Sequence, residues 1–148
     1  MKIERFEDIE AWRLARELTR KVYRLTKKTR FAKDYGLKRQ IQDAAGSSMH
    51  NIAEGFDSET NVEFMRFLRY SKRSCTEVQS ELYVALDEEY IVPSEFEDVY
   101  EQARRIPPRR DCSWLYQLPE EIRRAKDLNN REPLNREPDN LCSYELGP

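Results

Sequence analysis

Residues 64–86 read FMRFLRYSKRSCTEVQSELYVAL, in which Phe64, Leu68, Ser71, Cys75, Val78, Leu82 and Ala85 follow one another at alternating spacings of four and three. Apolar or small side chains in that rhythm form the seam of a helix over about three heptads. Phe67, Ser74 and Leu86 broaden the seam, so this helix should sit centrally and pack on more than one neighbour. Cys75 then reads as a small buried hydrophobe rather than a reactive thiol.

Upstream of that stretch, Leu37, Ile41, Ala44, Ala45, Ser48, Met49, Ile52 and Phe56 trace the apolar face of a second helix, entered through a turn at Asp34, Tyr35 and Gly36 and stopped by Gly55. The small side chains from Ala44 to Ser48 would let another helix approach closely. His50 falls off the apolar arc and is expected at the surface or helix edge. Still earlier, Asp8 to about Lys28 contains neither Gly nor Pro, and Ala11, Leu14, Ala15, Leu18, Val22 and Leu25 recur at helical spacing. Asp8 is the expected N-cap, and Lys27 and Lys28 suit the negative C-terminal end. Advancing about 100° per residue puts Arg13, Arg16, Arg20, Arg24 and Lys27 together on the opposite face, with Trp12 and Tyr23 on the flank between.

Downstream, Pro93 and Ser94 begin a helix in which Phe96, Val99, Tyr100, Ala103 and Ile106 keep helical spacing until Pro107 and Pro108. The expected fold is therefore all-α: an antiparallel up-and-down four-helix bundle over residues 1–106, with a truncated or altered fourth helix. A fourth helix this short would leave Phe64, Phe67 and Leu68 partly uncovered, so apolar surface is expected between subunits.

Composition agrees with one helical domain. A chain of 148 residues is close to the size of one core, and only 4 Gly among 39% hydrophobic and 36% charged residues suits helices better than strands. No run approaches the roughly 18 apolar residues of a membrane span. Met1 to Glu10 lacks the apolar region of a secretory signal, so a cytoplasmic location is expected. Cys75, Cys112 and Cys142 form no CxxC pair, which argues against a disulfide framework or a zinc site. His50 is the single histidine and leaves little material for His-based catalysis or metal binding. No catalytic residue, metal or cofactor is expected, and the chain reads as a non-enzyme.

The formal charge of -2 conceals an asymmetry. Met1 to Gln40 holds 13 Lys and Arg against 6 Asp and Glu, whereas Ile41 to Val92 holds 4 against 10. Such a distribution permits attraction to a polyanion and equally permits attraction between neighbouring helices or subunits.

The opening Phe6, Glu7, Asp8, Ile9, Ala11 and Trp12, the segment Asn51-Ile52-Ala53-Glu54-Gly55, and the following Phe64, Phe67, Leu68, Ser74, Glu77 and Leu82 together resemble a four-helix-bundle family. Its members include the 23S rRNA intervening-sequence proteins and the accessory variability determinant proteins of diversity-generating retroelements. The resemblance covers residues 3–106 and implies a bacterial, cytoplasmic homopentamer without enzymatic activity. For the retroelement branch it implies a basic oligomer that binds RNA and DNA and partners a reverse transcriptase. The resemblance also singles out Asn51, Glu54, Ser74 and Glu77, read either as a shared site or as a hydrogen-bonded cluster that fixes helix register or subunit contacts.

The basic stripe is the leading functional candidate. Its five cations span about 21 Å at 1.5 Å per residue, enough to follow several phosphates, and Trp12 and Tyr23 could stack on unpaired bases. The competing readings are a solvated face and a contact with the acidic third helix of another subunit. A pI near 5.6 falls short of a dedicated nucleic-acid binder. Two functions follow: an oligomer binding nucleic acid, RNA first, through the stripe, or a protein-interaction scaffold that holds an enzyme partner such as a reverse transcriptase.

Residues 107–148 change character. Arg-Glu-Pro at Arg131 to Pro133 returns at Arg136 to Pro138 among Asn, charge and Pro, which reads as a disordered tail. The resemblance implies instead a fourth helix that continues without proline and ends like Gly-Phe-Ile-x-Tyr-Leu. Back-translating Asp111 to Glu120 and shifting by one base allows Ile-Ala-Ala-Gly-Phe-Ile-Asn-Tyr-Leu-Lys. A frameshift between about Arg105 and Asp111 would therefore account for the tail; a divergent tail with its own short helix from Pro119 is the other reading.

Overall fold

The structure is a computed structural model, and it describes residues 3–106. Over that span it is all-α. A 3-10 turn at Phe6–Asp8 precedes α1 (Glu10–Leu25), α2 (Thr29–Lys33), α3 (Tyr35–Phe56), α4 (Asn61–Asp87) and α5 (Pro93–Arg105). Four of these are substantial and correspond to the four expected helices. Contacts run from α1 to α3, from α3 to α4, from α4 to α5, and from α5 back to α1. The expected tail and the frameshift reading, together with Cys112 and Cys142, lie outside the described residues.

The expected seam of α4 is buried. Phe64, Ser71, Cys75, Val78, Leu82 and Ala85 are all inaccessible or nearly so, with Leu68 half-buried beside them. Thr60 caps the helix by accepting from the Glu63 amide at 3.1 Å. Phe64 is completely buried within one chain, contrary to the expectation that it contributes surface between subunits; Phe67 and Leu68 are half-buried. What encloses Phe64 is the end of α3.

That enclosure revises the reading of Gly55. The glycine lies within the last turn of α3, not past its end, and it has no positive φ; Asp57 is the C-cap. A Cβ at Gly55 would stand 2.7 Å from both Phe64 Cδ2 and Phe67 Cβ. The residue is small because α4 presses against it there, not because a helix must stop. Higher up the same pair, Ser71 Oγ donates to the Ser48 carbonyl at 2.7 Å, and Ser48 Oγ donates to the Ala45 carbonyl at 2.7 Å. Contacts thus step backward along α4 as they step forward along α3, and Ala44, Ala45 and Ser48 are the buried residues that admit so close an approach.

The other boundaries shift for local reasons. Asp8 does not cap α1: its carboxylate accepts from the Glu4 and Arg5 amides at 3.1 Å and stabilises the 3-10 turn, leaving Ile9 at the N-cap. Those two amides hold the Asp8 carboxyl below its ordinary range, with the Arg5 and Arg13 charges adding to the effect. α1 ends at Leu25, so Lys27 and Lys28 stand beyond it. Asp34 caps α3 by accepting from the Leu37 amide at 3.0 Å, which places Tyr35 and Gly36 inside the helix where a turn was expected. Between them lies α2, a five-residue helix that the sequence spacing did not predict; its Phe31 is fully buried and stacks on Tyr90 at 5.3 Å.

Two glycines of α3 separate packing from propensity. Gly55→Ala should lower stability by up to about 2 kcal/mol, because overpacking of about 1–3 kcal/mol against the rigid Phe67 Cβ outweighs a helix-propensity gain of about 1 kcal/mol. At Gly46 a Cβ would meet His50 Cε1 at an ordinary 3.7 Å, so Gly46→Ala should instead raise stability by about 0.5–1 kcal/mol. Urea denaturation of the two variants checks both signs.

Candidate nucleic-acid interface

The position of the basic stripe follows from what the two flanks of α1 touch. On one flank, Thr19 Oγ1 donates to the Ala45 carbonyl of α3 at 2.9 Å, and Gln42 Nε2 of α3 donates to Thr26 Oγ1 at 2.6 Å. On the other flank, the Leu14 carbonyl accepts from Gln102 Nε2 of α5 at 3.0 Å, and Lys21 and Lys28 pair with Asp98 and Glu95 at 2.6 Å each. The arc left between the flanks carries Arg13, Arg16, Arg20, Arg24 and Lys27, and all five are exposed. Among the described residues no other helix covers them.

The five cations differ in how much they are engaged. Arg13 Nη2 donates to the Asp8 carbonyl at 3.3 Å, Arg20 pairs with Glu17 at 3.2 Å within its own helix, and the Arg16 guanidinium lies 5.7 Å from the Trp12 ring centroid. Arg24 and Lys27 make no ion pair among the described residues. At the C-terminal end of α1 the charge is therefore unspent.

The two aromatic candidates separate in the same way. Trp12 is half-buried, sits edge-on to Phe6 at 5.1 Å and carries Arg16 above it, so its ring is already occupied. Tyr23 is 46% exposed with no ring partner among the described residues. Of the two, Tyr23 is the one open to a stacking ligand.

Asn51, Glu54, Ser74 and Glu77 are not brought together within one chain. Asn51 Nδ2 is spent on the Ser47 carbonyl of its own helix at 2.7 Å, Glu54 and Glu77 are exposed, and Ser74 is half-buried. The pairing of Ser48 with Ser71 and of Gly55 with Phe64 puts Asn51 level with the turn around Leu68. Ser74 is then about 9 Å farther along the axis at 1.5 Å per residue. Within one chain the two carboxylates therefore stay in water. Glu81 is the carboxyl on this face whose protonation is perturbed: partial burial, then the Glu77 charge one turn away, raises it.

Burial pushes the Cys75 thiol up to about 11, so it stays protonated as the seam reading expected. His50 is exposed, also as expected. Among the described residues no group of three His, Cys, Asp or Glu could hold a metal ion, and no helix is long and apolar enough to cross a membrane.

The family described as 23S rRNA-intervening sequence protein matches residues 7–108. The chain belongs to that family. The match takes in the whole of α1 to α5, and with them the stripe and its flanks. No curated relative matches this family member.

Sequence reasoning missed Gln42, Gln102, Thr19 and Thr26, the polar side chains that orient α1. Their signal was present as polar residues one or two places off each apolar stripe, but such residues read as solvated until a neighbouring helix supplies an acceptor. The Lys28–Glu95 pair gives this arrangement a pH signature. The hydrogen bond from Lys28, then that from the Val92 amide, holds the Glu95 carboxyl below its ordinary 4.5. A carboxyl depressed in the folded state contributes stability above that ordinary value and loses it as pH falls through the folded one. Lys28→Met should therefore be less stable than wild type at pH 7, with the difference shrinking as pH drops below about 4.5; thermal melts across that range check it.

Proposed function

We propose that this protein is a non-enzymatic, cytoplasmic, oligomeric helical bundle that binds RNA through the exposed face of α1. The observation that carries the reading is that four cations on α1 and a fifth, Lys27, just past its end stand together on the side left open where both flanks of the helix are occupied, leaving one face for solvent or a polyanion. The helix-bound cations, Arg13 to Arg24, lie about 17 Å from end to end at 1.5 Å per residue and can follow several phosphates, and each contact adds a salt-dependent increment. An antiparallel up-and-down arrangement of α1, α3, α4 and α5 supports it. Thr19 with Ala45 and Thr26 with Gln42 step in opposite directions, as do Leu14 with Gln102 and Lys28 with Glu95.

Self-assembly accompanies this reading, with a pentamer as the state that the family resemblance suggests. Tyr83 is 51% exposed and packs edge-on to the half-buried Phe96 and Tyr100, an aromatic surface across α4 and α5 suited to a second copy, and Val84 and Val92 are 44% and 50% exposed. Repetition of the stripe around a ring would sum modest single contacts. Light scattering should report an oligomer at micromolar concentration, and a monomer there would overturn the assembly.

Binding is tested by changing Arg13, Arg16, Arg20 and Arg24 together to Gln. The variant should keep the helicity and particle size of wild type. Its affinity for generic RNA should fall, and the slope of log K against log salt should flatten by about 0.7 for each single-strand phosphate that is no longer neutralised. Equal binding by variant and wild type at low salt would remove the stripe as the interface.

A further inference from the structure

The unspent charge at the end of α1 adjoins a second wall. On α3, Tyr35, Lys38 and Gln42 recur at spacings of three and four and so share one flank. Gln42 donates to Thr26 of α1, which identifies that flank as the one turned toward α1. Tyr23 in the last turns of α1, and Lys27 just past its C-cap, flank Thr26 on the stripe side of the same contact. In the chain between the helices, α2 tucks Phe31 against Tyr90, and Lys28 and Arg30 are drawn to Glu95 and Glu89 rather than to this flank.

Tyr35 is 78% exposed, the most exposed of the large hydrophobic residues described, and neither it nor Tyr23 has a ring partner among the described residues. Arg24, Lys27, Lys33 and Lys38 make no ion pair among the described residues, whereas Arg39 is drawn to Asp43 at 3.5 Å. Two open aromatic rings interleaved with uncommitted cations match an unpaired strand, whose bases offer π-faces and whose backbone offers one charge per nucleotide. A duplex hides its base faces and could use only the cations. Tyr35 lies about 12 Å along α3 from the level of Tyr23, and adjacent helix axes are about 8–10 Å apart, so the two positions stand on the order of 15 Å apart at the helix axes. One short run of unpaired nucleotides spans that interval.

We infer that the α1–α3 groove at the α2 end is a stacking subsite for single-stranded RNA, with Tyr23 and Tyr35 as base platforms and Arg24, Lys27 and Lys38 as phosphate contacts. The inference rests on the proposed RNA binding and adds the class of RNA and the residues that select it.

The test uses the full chain and two fluorescent probes, a 12-nucleotide unpaired RNA and the 12-base-pair duplex containing it, titrated at one salt concentration. Wild type should bind the unpaired strand more tightly than the duplex. Tyr23→Ala with Tyr35→Ala should weaken single-strand binding by about tenfold or more and leave duplex binding within about twofold, while Tyr→Phe at both sites should retain the wild-type preference. Both tyrosines are exposed, so circular dichroism should show an unchanged fold. A double Ala variant that binds the single strand as wild type does overturns the subsite alone, as does a wild-type preference for duplex. Absence of salt-dependent binding of either probe by wild type overturns the RNA reading and the subsite with it.

Discussion

Everything else in the molecule is set by how closely α3 approaches α4. At Gly55 the α3 backbone touches the Phe64 ring and the Phe67 Cβ, and two turns earlier the Ser48 carbonyl lies within a hydrogen bond of Ser71. Two helices that meet at backbone range have a fixed offset, since any slide of one turn would drive Phe64 into a residue with a Cβ or leave the Ser71 hydroxyl buried without an acceptor. This rigid pair forms the wall against which the two remaining long helices are placed.

α1 is fixed on that wall by polar contacts rather than by apolar packing alone. Thr19 and Gln42 hold its α3 flank, and Gln102, Asp98 and Glu95 hold its α5 flank. Apolar surfaces tolerate rotation about a helix axis, whereas directional hydrogen bonds on both sides do not. The orientation of the cationic arc is therefore as well determined as the core. Lys21 shows the distinction: it belongs to the same helix as the stripe, but it is drawn against α5 by Asp98 and does not face solvent with the others.

The helices and their inward faces were legible in the sequence because burial imposes a period, and period survives in a single chain. Leu18, Ile41, Val78 and Val99 were each placed by spacing and each is buried. Boundaries were less legible where one residue serves two purposes. Gly55 and Gly36 carry no sign of whether a glycine ends a helix, starts one or admits a neighbour; only the position of Phe64 and the Asp34 cap decides. Asp8 could equally cap the helix after it or the turn before it. The stripe was legible as a helical face, but which cations are engaged was not, because Glu17, Asp8 and Trp12 claim theirs through local geometry. Tyr35 was read as part of a turn, and its role emerges only once α3 is seen to begin there.

The hydrogen bonds that tie the helices differ greatly in the length of chain they enclose. Ser71 reaches Ser48 across 23 residues, whereas Gln102 reaches Leu14 across 88 and Lys21 reaches Asp98 across 77. The entropy of closing a segment grows with its length, so the α3–α4 hairpin can form on its own while the joint between the first and last helices must wait for it. The polar part of that joint is one amide and two partly exposed ion pairs, interactions that yield to brief opening far more readily than the seam under Phe64. The order of assembly and the order of loosening are thus both written into sequence separation: Thr26 and Gln42 close only 16 residues, so α1 joins α3 as readily as α4 does, and it is the α1–α5 joint that closes last and opens first.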